Sequence, residues 1–160
     1  MRVIAIDPGY DRCGVAILDA KAIGEEKLIF STCIQTDKKD SYYKRLKQII
    51  DSVEEIINLN NPDFFAIENL FFNKNQKTAT KVAETRGALL ALALKQNLEI
   101  MEFTPLQIKL ATTGNGRADK RAVYEILPHL LKIDKEIKLD DEFDAIACAI
   151  TASALRKQRA

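Results

Sequence analysis

Two short apolar segments that each end in a carboxylate constrain the fold of this chain most. The first covers residues 3–6 and is followed by Asp7 and a Pro-Gly turn, and the second covers residues 64–68 and ends in Glu68. Short apolar runs of this kind are typical of strands that are buried on both faces. If a right-handed crossover joins these strands, they run parallel. Their carboxyl ends then meet at one edge of the sheet, where open α/β sheets bind ligands.

The composition is that of an ordinary globular protein, with 160 residues, 47% of them hydrophobic, and a net charge of +1. No apolar run is long enough to span a membrane, and the N-terminus does not resemble a signal peptide. Three scattered cysteines, Cys13, Cys33 and Cys148, indicate reduced thiols in a cytoplasmic protein rather than a disulfide framework or a zinc site. A single histidine, His129, disfavours a His-rich metal site or a His-based triad.

Hydrophobic patterning predicts three strands first, and then helix, strand, helix, strand and further helices. The predicted strands cover residues 3–6, 13–18, 27–34, 64–68 and 99–103. The predicted helices begin near residue 40 or 41 and at residues 78, 106, 119 and 141, and end near residues 58, 95, 110, 131 and 156. A meander followed by crossovers gives a five-stranded mixed sheet, three antiparallel strands and then two parallel ones, with helices on both faces. We expect one domain over residues 1–160, with a flexible basic tail in the last few residues.

A second pair of carboxylates opens the predicted last helix. Asp141 and Asp144 are three residues apart, so they lie on one face of that helix. They border the apolar stripe formed by Phe143, Ile146, Ala147 and Ile150, and this position allows them to face the sheet edge. Acids in a first helical turn also stabilise the helix dipole by roughly 0.3–1 kcal/mol each, so the pair taken alone is better explained by a purely structural role.

Considered together, the four carboxylates indicate a metal site. Two carboxylates ~4 Å apart repel by roughly 4 kcal/mol at an intermediate dielectric, so a cluster needs a compensating cation. Oxygen ligands without histidine suit Mg²⁺ or Mn²⁺. Two such ions about 3.5–4 Å apart activate a water and stabilise the leaving oxygen of a phosphodiester. The sequence therefore predicts metal-dependent phosphodiester hydrolysis, with catalytic, metal-binding side chains at Asp7, Glu68, Asp141 and Asp144.

Basic and aromatic residues flank these carboxylates in the sequence. The basic groups are Lys74, Lys77 and Lys81; Lys109, Arg117, Lys120 and Arg121; and Arg156, Lys157 and Arg159. Single lysines usually only interact with solvent, but clusters beside a carboxylate site are better explained as phosphate contacts. Phe71 and Phe72 follow Glu68 in a polar loop, where an exposed aromatic ring can stack on or wedge between bases.

These motifs together resemble the bacterial RuvC-type Holliday junction resolvases of the ribonuclease H-like superfamily. The resemblance is carried by Ile-Asp-Pro-Gly at residues 6–9 with Gly-Val at 14–15, Ala-Ile-Glu at 66–68 followed by Phe71, the Gly-Asn-Gly-Arg-Ala-Asp-Lys stretch at 114–120, and residues 141–147. They occur in the order and spacing of the family, from residue 1 to about residue 155. Two positions depart from the family pattern, since Tyr10 replaces a frequent serine and Ala122 a common glutamine, and both leave the DNA contacts open.

The resemblance implies a ribonuclease H-like fold and a homodimer that nicks two opposed strands of a four-way DNA junction symmetrically, during recombination and repair. It implies two Mg²⁺ ions per site, for which Mn²⁺ can substitute, and a branch-migration complex of RuvA and RuvB as partner. The four carboxylates match the metal-binding catalytic set of the family. Lys109 and Lys120 match basic residues that serve the active site and the DNA backbone, and Phe71 matches an aromatic that engages unstacked bases.

Three other interpretations remain to be weighed. ATP-using enzymes of the actin and sugar-kinase type begin similarly, but they need two such domains and a much longer chain. A YqgF-type nuclease that acts on RNA is disfavoured by residues 114–120 and by the late aspartate pair. A non-catalytic junction-binding module would be expected to lack one of the four carboxylates. For the dimer, the apolar residues 88–94 are a candidate part of the interface.

Overall fold

Five strands form one mixed sheet. The computed structural model describes residues 1–22, 24–69 and 76–156, except for the side chains of residues 76–78. The strands are β1 (Arg2–Asp7), β2 (Arg12–Ala20), β3 (Glu26–Gln35), β4 (Phe64–Glu68) and β5 (Glu99–Phe103), in the order β3-β2-β1-β4-β5. β2 pairs antiparallel with both β1 and β3, whereas β4 pairs parallel with both β1 and β5. The predicted mixed sheet is therefore confirmed.

The helices of the described part of the chain are α1 (Tyr42–Asn60), α2 (Gln76–Lys95), α3 (Pro105–Thr113), α4 (Lys120–Leu130) and α5 (Asp140–Leu155). Ser41 caps α1 and Asp119 caps α4, since each side chain accepts a backbone N–H three residues later. Thr104 and Gln107 form a capping box at the start of α3. The third helix is longer than predicted, because it continues to Gly114, whose φ of 72° ends it in the left-handed conformation.

The sheet separates two hydrophobic layers. Val3 and Ala5 of β1 face the layer that contains α3, α4 and α5, while Ile4 and Ile6 face the layer that contains α1 and α2. Because β1 is central and covered on both faces, its apolar residues follow one another without a polar interruption. The structure confirms the prediction of helices on both faces of the sheet.

The helix α5 is buried far more completely than the predicted apolar stripe implies. Every residue from 145 to 153 is buried, and most of these residues are small. Small side chains let α5 pack closely over β1 and β2, and this places the first turn of the helix beside the ends of the strands. No helix in the described ranges is both long enough and apolar enough to span a membrane.

Candidate active site

Asp7 and Glu68 lie side by side at one edge of the sheet. β1 and β4 are parallel neighbours in which Ile6 pairs with Ile67, so the next residue of each strand is a carboxylate. The backbone ladder places these two side chains together, and Pro8 and Gly9 turn the chain away immediately after Asp7. This is the carboxyl edge at which ligands bind in open α/β sheets.

The start of α5 reaches the same edge because β2 carries a glycine there. Gly14 pairs with Asp7 in the sheet register. A Cβ atom built on Gly14 would lie 1.8 Å from the carbonyl oxygen of Asp141, a distance that no side chain can occupy. Only glycine therefore lets the backbone of α5 lie directly against β2, and this contact brings the helical aspartates to the strand ends.

One cavity of about 420 Å³ contains all four predicted catalytic carboxylates. Its lining residues are Asp7, Glu68, Pro105, Ile108, Lys109, Lys120, Val123, Asp141, Asp144 and Ala147. The carboxylates come from β1, β4 and α5, and the two lysines come from α3 and α4. The geometry thus combines an acidic centre, a basic wall and an apolar wall in one cleft.

Burial and mutual repulsion raise the pKa values of three carboxylates in the acidic centre. Burial, as the largest cause, and then the neighbouring charges of Asp144, Asp141 and Glu68 together raise the pKa of Asp7 to about 8. Burial also raises the pKa of Glu68, with Asp144 as the next cause. The pKa of Asp141 is raised as well, again mainly by burial. Such a cluster binds protons or cations readily, because either one relieves the repulsion.

Two cations of the protein partly neutralise the helical aspartates. Lys120 Nζ lies 2.7 Å from Asp144 Oδ2 and 3.2 Å from Asp140 Oδ2. Arg12 Nε lies 2.9 Å from Asp141 Oδ2, and Arg12 Nη2 lies 3.2 Å from Asp140 Oδ1. Asp140 therefore forms ion pairs with both Arg12 and Lys120. Sequence reasoning did not identify Arg12 or Asp140, because neither the start of β2 nor the first residue of α5 stands out by spacing.

The donor set fits a hard divalent cation. Asp141 Oδ2 is buried and accepts no hydrogen bond, although Arg12 lies within ion-pair distance. Burying a carboxylate oxygen without a hydrogen bond is costly, and the ion pair with Arg12 offsets only part of that cost, which a bound metal ion would reduce further. Within residues 1–22, 24–69 and 76–156, no three acidic, histidine or cysteine side chains are already arranged around a single ion position. Oxygen donors alone suit Mg²⁺ or Mn²⁺.

Further hydrogen bonds hold the segments that carry the carboxylates in place. Arg86 of α2 donates from Nε to the backbone oxygen of Glu68 at 3.1 Å and from Nη2 to Asn69 Oδ1 at 3.3 Å. At the start of α5, the buried Glu142 accepts a 2.6 Å hydrogen bond from Ser31 Oγ. These contacts join different elements, so no spacing along one element could have revealed them.

Tyr124 of α4 donates a hydrogen bond to one of the helical carboxylates. Its hydroxyl lies 2.9 Å from Asp144 Oδ1. Burial raises the pKa of Tyr124 above its ordinary value. Burial alone would lower the pKa of Lys120, but its hydrogen bonds to Asp144 and Tyr124 outweigh this effect and raise the pKa overall.

The predicted basic residues occupy different positions. Lys109 and Lys120 line the cavity, whereas Arg117 and Arg121 are exposed beside it, and Arg121 Nε pairs with Glu125 at 2.7 Å. Phe71, Lys74, Lys157 and Arg159 lie outside the described residues, and for Lys77 only the backbone, in α2, is described.

Lys81 contacts aromatic rings. Its Nζ lies 5.5 Å from the ring centroid of Tyr10 and 5.4 Å from that of Tyr42. Tyr10, the first departure from the family pattern, also packs edge-on against Tyr42 at 5.6 Å and under the guanidinium of Arg45 at 4.9 Å. Tyr10 therefore joins the turn after Asp7 to α1 and α2. Ala122, the second departure, is exposed on α4.

Comparison with known proteins identifies the family. A model of the family described as crossover junction endodeoxyribonuclease RuvC matches residues 3–152. This chain belongs to the RuvC family. The RuvC of Caldicellulosiruptor saccharolyticus is 41% identical over 150 residues, which cover 94% of this chain and 90% of that protein. The RuvC of Petrotoga mobilis is 41% identical over 157 residues, which cover 98% of this chain and 96% of that protein.

A solved structure with a similar fold is T. thermophilus RuvC in complex with a Holliday junction substrate, with a TM-score of 0.92 and 26% sequence identity. The alignment covers 99% of this chain and 96% of that chain. The predictions of the RuvC family, the ribonuclease H-like fold and the crossover junction endodeoxyribonuclease class are therefore confirmed. The RuvC family is typically metal-dependent, in agreement with the oxygen donors of the cavity.

Proposed function

We propose that this chain resolves four-way DNA junctions by cutting two opposed strands during recombination and repair in the cytoplasm. The observation that carries the proposal is a single cavity in which a RuvC-family chain brings together four carboxylates and two lysines. The T. thermophilus relative, whose structure contains a Holliday junction, supports the choice of substrate.

The proposed metal ligands are Asp7, Glu68, Asp141 and Asp144, and they would hold two Mg²⁺ ions, with Mn²⁺ as a substitute. When bound, such a pair of ions supplies an activated water and stabilises the leaving oxygen of an in-line displacement. Asp7 is the proposed shared ligand, because the other three carboxylates all raise its pKa. Glu68 then serves one side of the site, and the two helical aspartates serve the other.

The lysines of the cavity bind the substrate phosphate. Lys109 and Lys120 line the same cleft as the carboxylates, so a phosphodiester bound in this cleft lies within reach of both positive charges. Outside the cleft, Lys81, Arg117 and Arg121 are the proposed contacts to the phosphates of the junction arms, together with Lys74 and Lys77. Phe71 is proposed to engage an unstacked base. Cleavage leaves 5′-phosphate and 3′-hydroxyl ends, which a ligase can rejoin.

Two copies of the chain are needed for a symmetric cut, because the cavity of one copy acts on one strand at a time. The proposed interface includes residues 88–94 of α2, where Leu94 is 63% exposed although Leu89, Leu92 and Ala93 are buried. Contiguous exposed apolar patches mark surfaces that another chain covers, and Leu94 is the proposed apolar contact in this one. A RuvA–RuvB branch-migration complex is the proposed further partner.

A nicking assay tests the proposal. The full chain is incubated with a synthetic four-way junction, a linear duplex and an RNA–DNA hybrid, each with Mg²⁺ or with EDTA. We expect paired, Mg²⁺-dependent nicks in the junction alone, in products that ligase seals. Junction binding without cutting would instead indicate a non-catalytic module, and cutting only of the RNA-containing substrate would overturn the proposed substrate.

A further inference from the structure

Tyr124 makes a direct contact with the acidic centre from outside the set of carboxylates and lysines. Its hydroxyl donates to Asp144 Oδ1 at 2.9 Å, and the next acceptor, the backbone oxygen of Asp140, lies farther away at 3.4 Å. A phenol is protonated near neutral pH and has one hydrogen to donate. The shorter distance assigns that hydrogen to Asp144, and a hydrogen bond to a carboxylate is stronger than one between neutral groups.

The ring of Tyr124 is held in place by its neighbours. It stacks on Phe143 with the ring centroids 4.8 Å apart and the planes inclined by 20°. Lys120 Nζ lies 5.6 Å from the centroid of the Tyr124 ring. Phe143 directly precedes Asp144 in α5, so the residue that fixes the ring is adjacent to the residue that receives the hydrogen bond. The hydroxyl therefore has little freedom to move away from the carboxylate.

The two oxygens of Asp144 have different partners. Oδ1 accepts from Tyr124, while Oδ2 lies 2.7 Å from Lys120 Nζ. With one oxygen fixed from each side, the plane of the carboxylate cannot rotate freely about its Cβ–Cγ bond. A metal ligand that is already oriented loses less freedom when the ion binds.

We propose that Tyr124 is a positioning residue, whose hydroxyl orients Asp144 toward divalent metal ions. The inference rests on the proposed function, because it assumes that Asp144 is a metal ligand. It differs from the roles of Lys109 and Lys120, since Tyr124 carries no charge and acts through the carboxylate rather than on the phosphate. Hydrogen-bond partners of metal ligands typically contribute about 10- to 100-fold to metal affinity or activity.

The test removes the hydroxyl and keeps the ring. Tyr124→Phe retains the stack on Phe143, and circular dichroism checks that the variant folds. Calorimetric titration of the metal-free protein with Mn²⁺ should show affinity weakened by about 10- to 100-fold. The Mg²⁺ concentration that gives half-maximal nicking of a four-way junction should rise by a similar factor, while the rate at saturating Mg²⁺ stays close to that of the wild type. Junction binding in EDTA should not change.

Tyr42→Phe is the matched control. The Tyr42 hydroxyl also donates a hydrogen bond, to the backbone oxygen of Lys81 at 3.1 Å, but Tyr42 does not line the cavity. We expect wild-type metal affinity for this variant. Unchanged Mn²⁺ affinity in Tyr124→Phe would overturn the proposal, and so would an equal loss in Tyr42→Phe.

A second variant covers the case in which Tyr124→Phe does not fold. Phe143→Leu keeps the hydroxyl but removes the ring that fixes it, and we expect a smaller but measurable weakening of Mn²⁺ affinity. Wild-type affinity in this variant would count against the proposal. The nicking assay on the wild-type chain distinguishes failure of the proposed function from failure of the role of Tyr124. Absence of nicking by the wild type refutes the proposed function, whereas the Mn²⁺ titration still tests the role of Tyr124.

Discussion

The two pairs of carboxylates reach the same cavity by different means. Asp7 and Glu68 are the last residues of adjacent parallel strands, so the backbone register alone places them together. Asp141 and Asp144 belong to a helix that crosses the sheet, and their positions depend on one close backbone contact and several side chains. Those supports are Gly14, Arg12, Lys120 and Tyr124. The helical pair should therefore be the more sensitive of the two to substitutions elsewhere in the chain.

The largest effect is expected from Gly14→Ala. The new methyl group would lie 1.8 Å from the backbone oxygen of Asp141, so α5 must move away from β2. We expect a loss of about 3 kcal/mol in the free energy of unfolding, as is found for severe overpacking. Nicking should fall strongly even in the fraction that stays folded, because the helical aspartates no longer meet the strand pair. Urea unfolding and the junction assay measure the two effects.

Gly87→Ala is the matched control for this substitution. Gly87 lies inside α2 with open space around its Cβ position. Alanine is a better helix former than glycine by roughly 0.5–1 kcal/mol, so the control should be at least as stable as the wild type. Equal and small effects of both substitutions would show that the contact between β2 and α5 does not set the position of the aspartates.

The same contrast explains how much of the site could be predicted from the sequence. The strand carboxylates could be predicted because each follows an apolar run directly, and the topology then requires that they meet. The helical pair was ambiguous, since acids in a first turn also occur for the helix dipole. The predicted apolar stripe of α5 was too narrow, because small residues bury the helix on nearly every side.

The supports of the site could not be predicted from any local pattern. Arg12 lies on β2, far from Asp141 in sequence, whereas Tyr124 lies on the helix directly before the one that carries Asp144, and neither belongs to a motif that marks its role. Gly14 belongs to a motif that resembles the family pattern, but its physical role depends on the approach of a helix more than 120 residues later. Such contacts are properties of the tertiary structure rather than of any spacing along the chain.

A second prediction concerns Asp7 in the absence of metal. Its pKa is raised to about 8 in the folded protein, so the folded state keeps this proton to a higher pH than the unfolded chain does. The resulting stabilisation is complete below the unfolded pKa of about 3.9 and is lost as the pH rises toward 8. In EDTA, the free energy of unfolding should therefore decrease between pH 5 and pH 8, by on the order of 1 kcal/mol per pH unit.

Added Mg²⁺ and the variant Asp7→Asn distinguish the contribution of Asp7 to the pH dependence of stability from that of other titrating groups. Mg²⁺ should stabilise the protein more at pH 8 than at pH 5, because protons and metal compete for the same carboxylates. In Asp7→Asn, the decrease with pH in EDTA should be smaller. Urea unfolding at several pH values measures both effects. Identical pH dependence in the wild type and in the variant would contradict the raised pKa.

The smallest effect on activity is expected from Arg86→Met. This substitution removes the hydrogen bonds to the backbone oxygen of Glu68 and to Asn69, and the ion pair with Glu102. We expect a loss of about 2 kcal/mol in stability, because hydrogen bonds to a charged group are removed. Nicking should fall less than tenfold, since the ladder between β1 and β4 still holds Glu68 in place.

This variant is best compared with Tyr124→Phe in the same Mg²⁺ titration. The Mg²⁺ concentration for half-maximal nicking should shift less in Arg86→Met than in Tyr124→Phe. Equal shifts would show that the strand carboxylates depend on supporting side chains as strongly as the helical aspartates do. Lys47→Met provides a control for loss of an exposed ion pair, since Lys47 pairs with Asp51 on the surface of α1. It should leave both stability and nicking unchanged.

The most direct test of the account is a nicking assay on a four-way junction with one variant from each pair, Glu68→Gln and Asp144→Asn. Each variant removes one charge and keeps the shape of the side chain. If the two pairs form one metal-dependent site, each substitution alone abolishes Mg²⁺-dependent nicking, while both folded variants still bind the junction in EDTA. Wild-type nicking by either folded variant would contradict the account, because the cavity would then not act as a single catalytic centre.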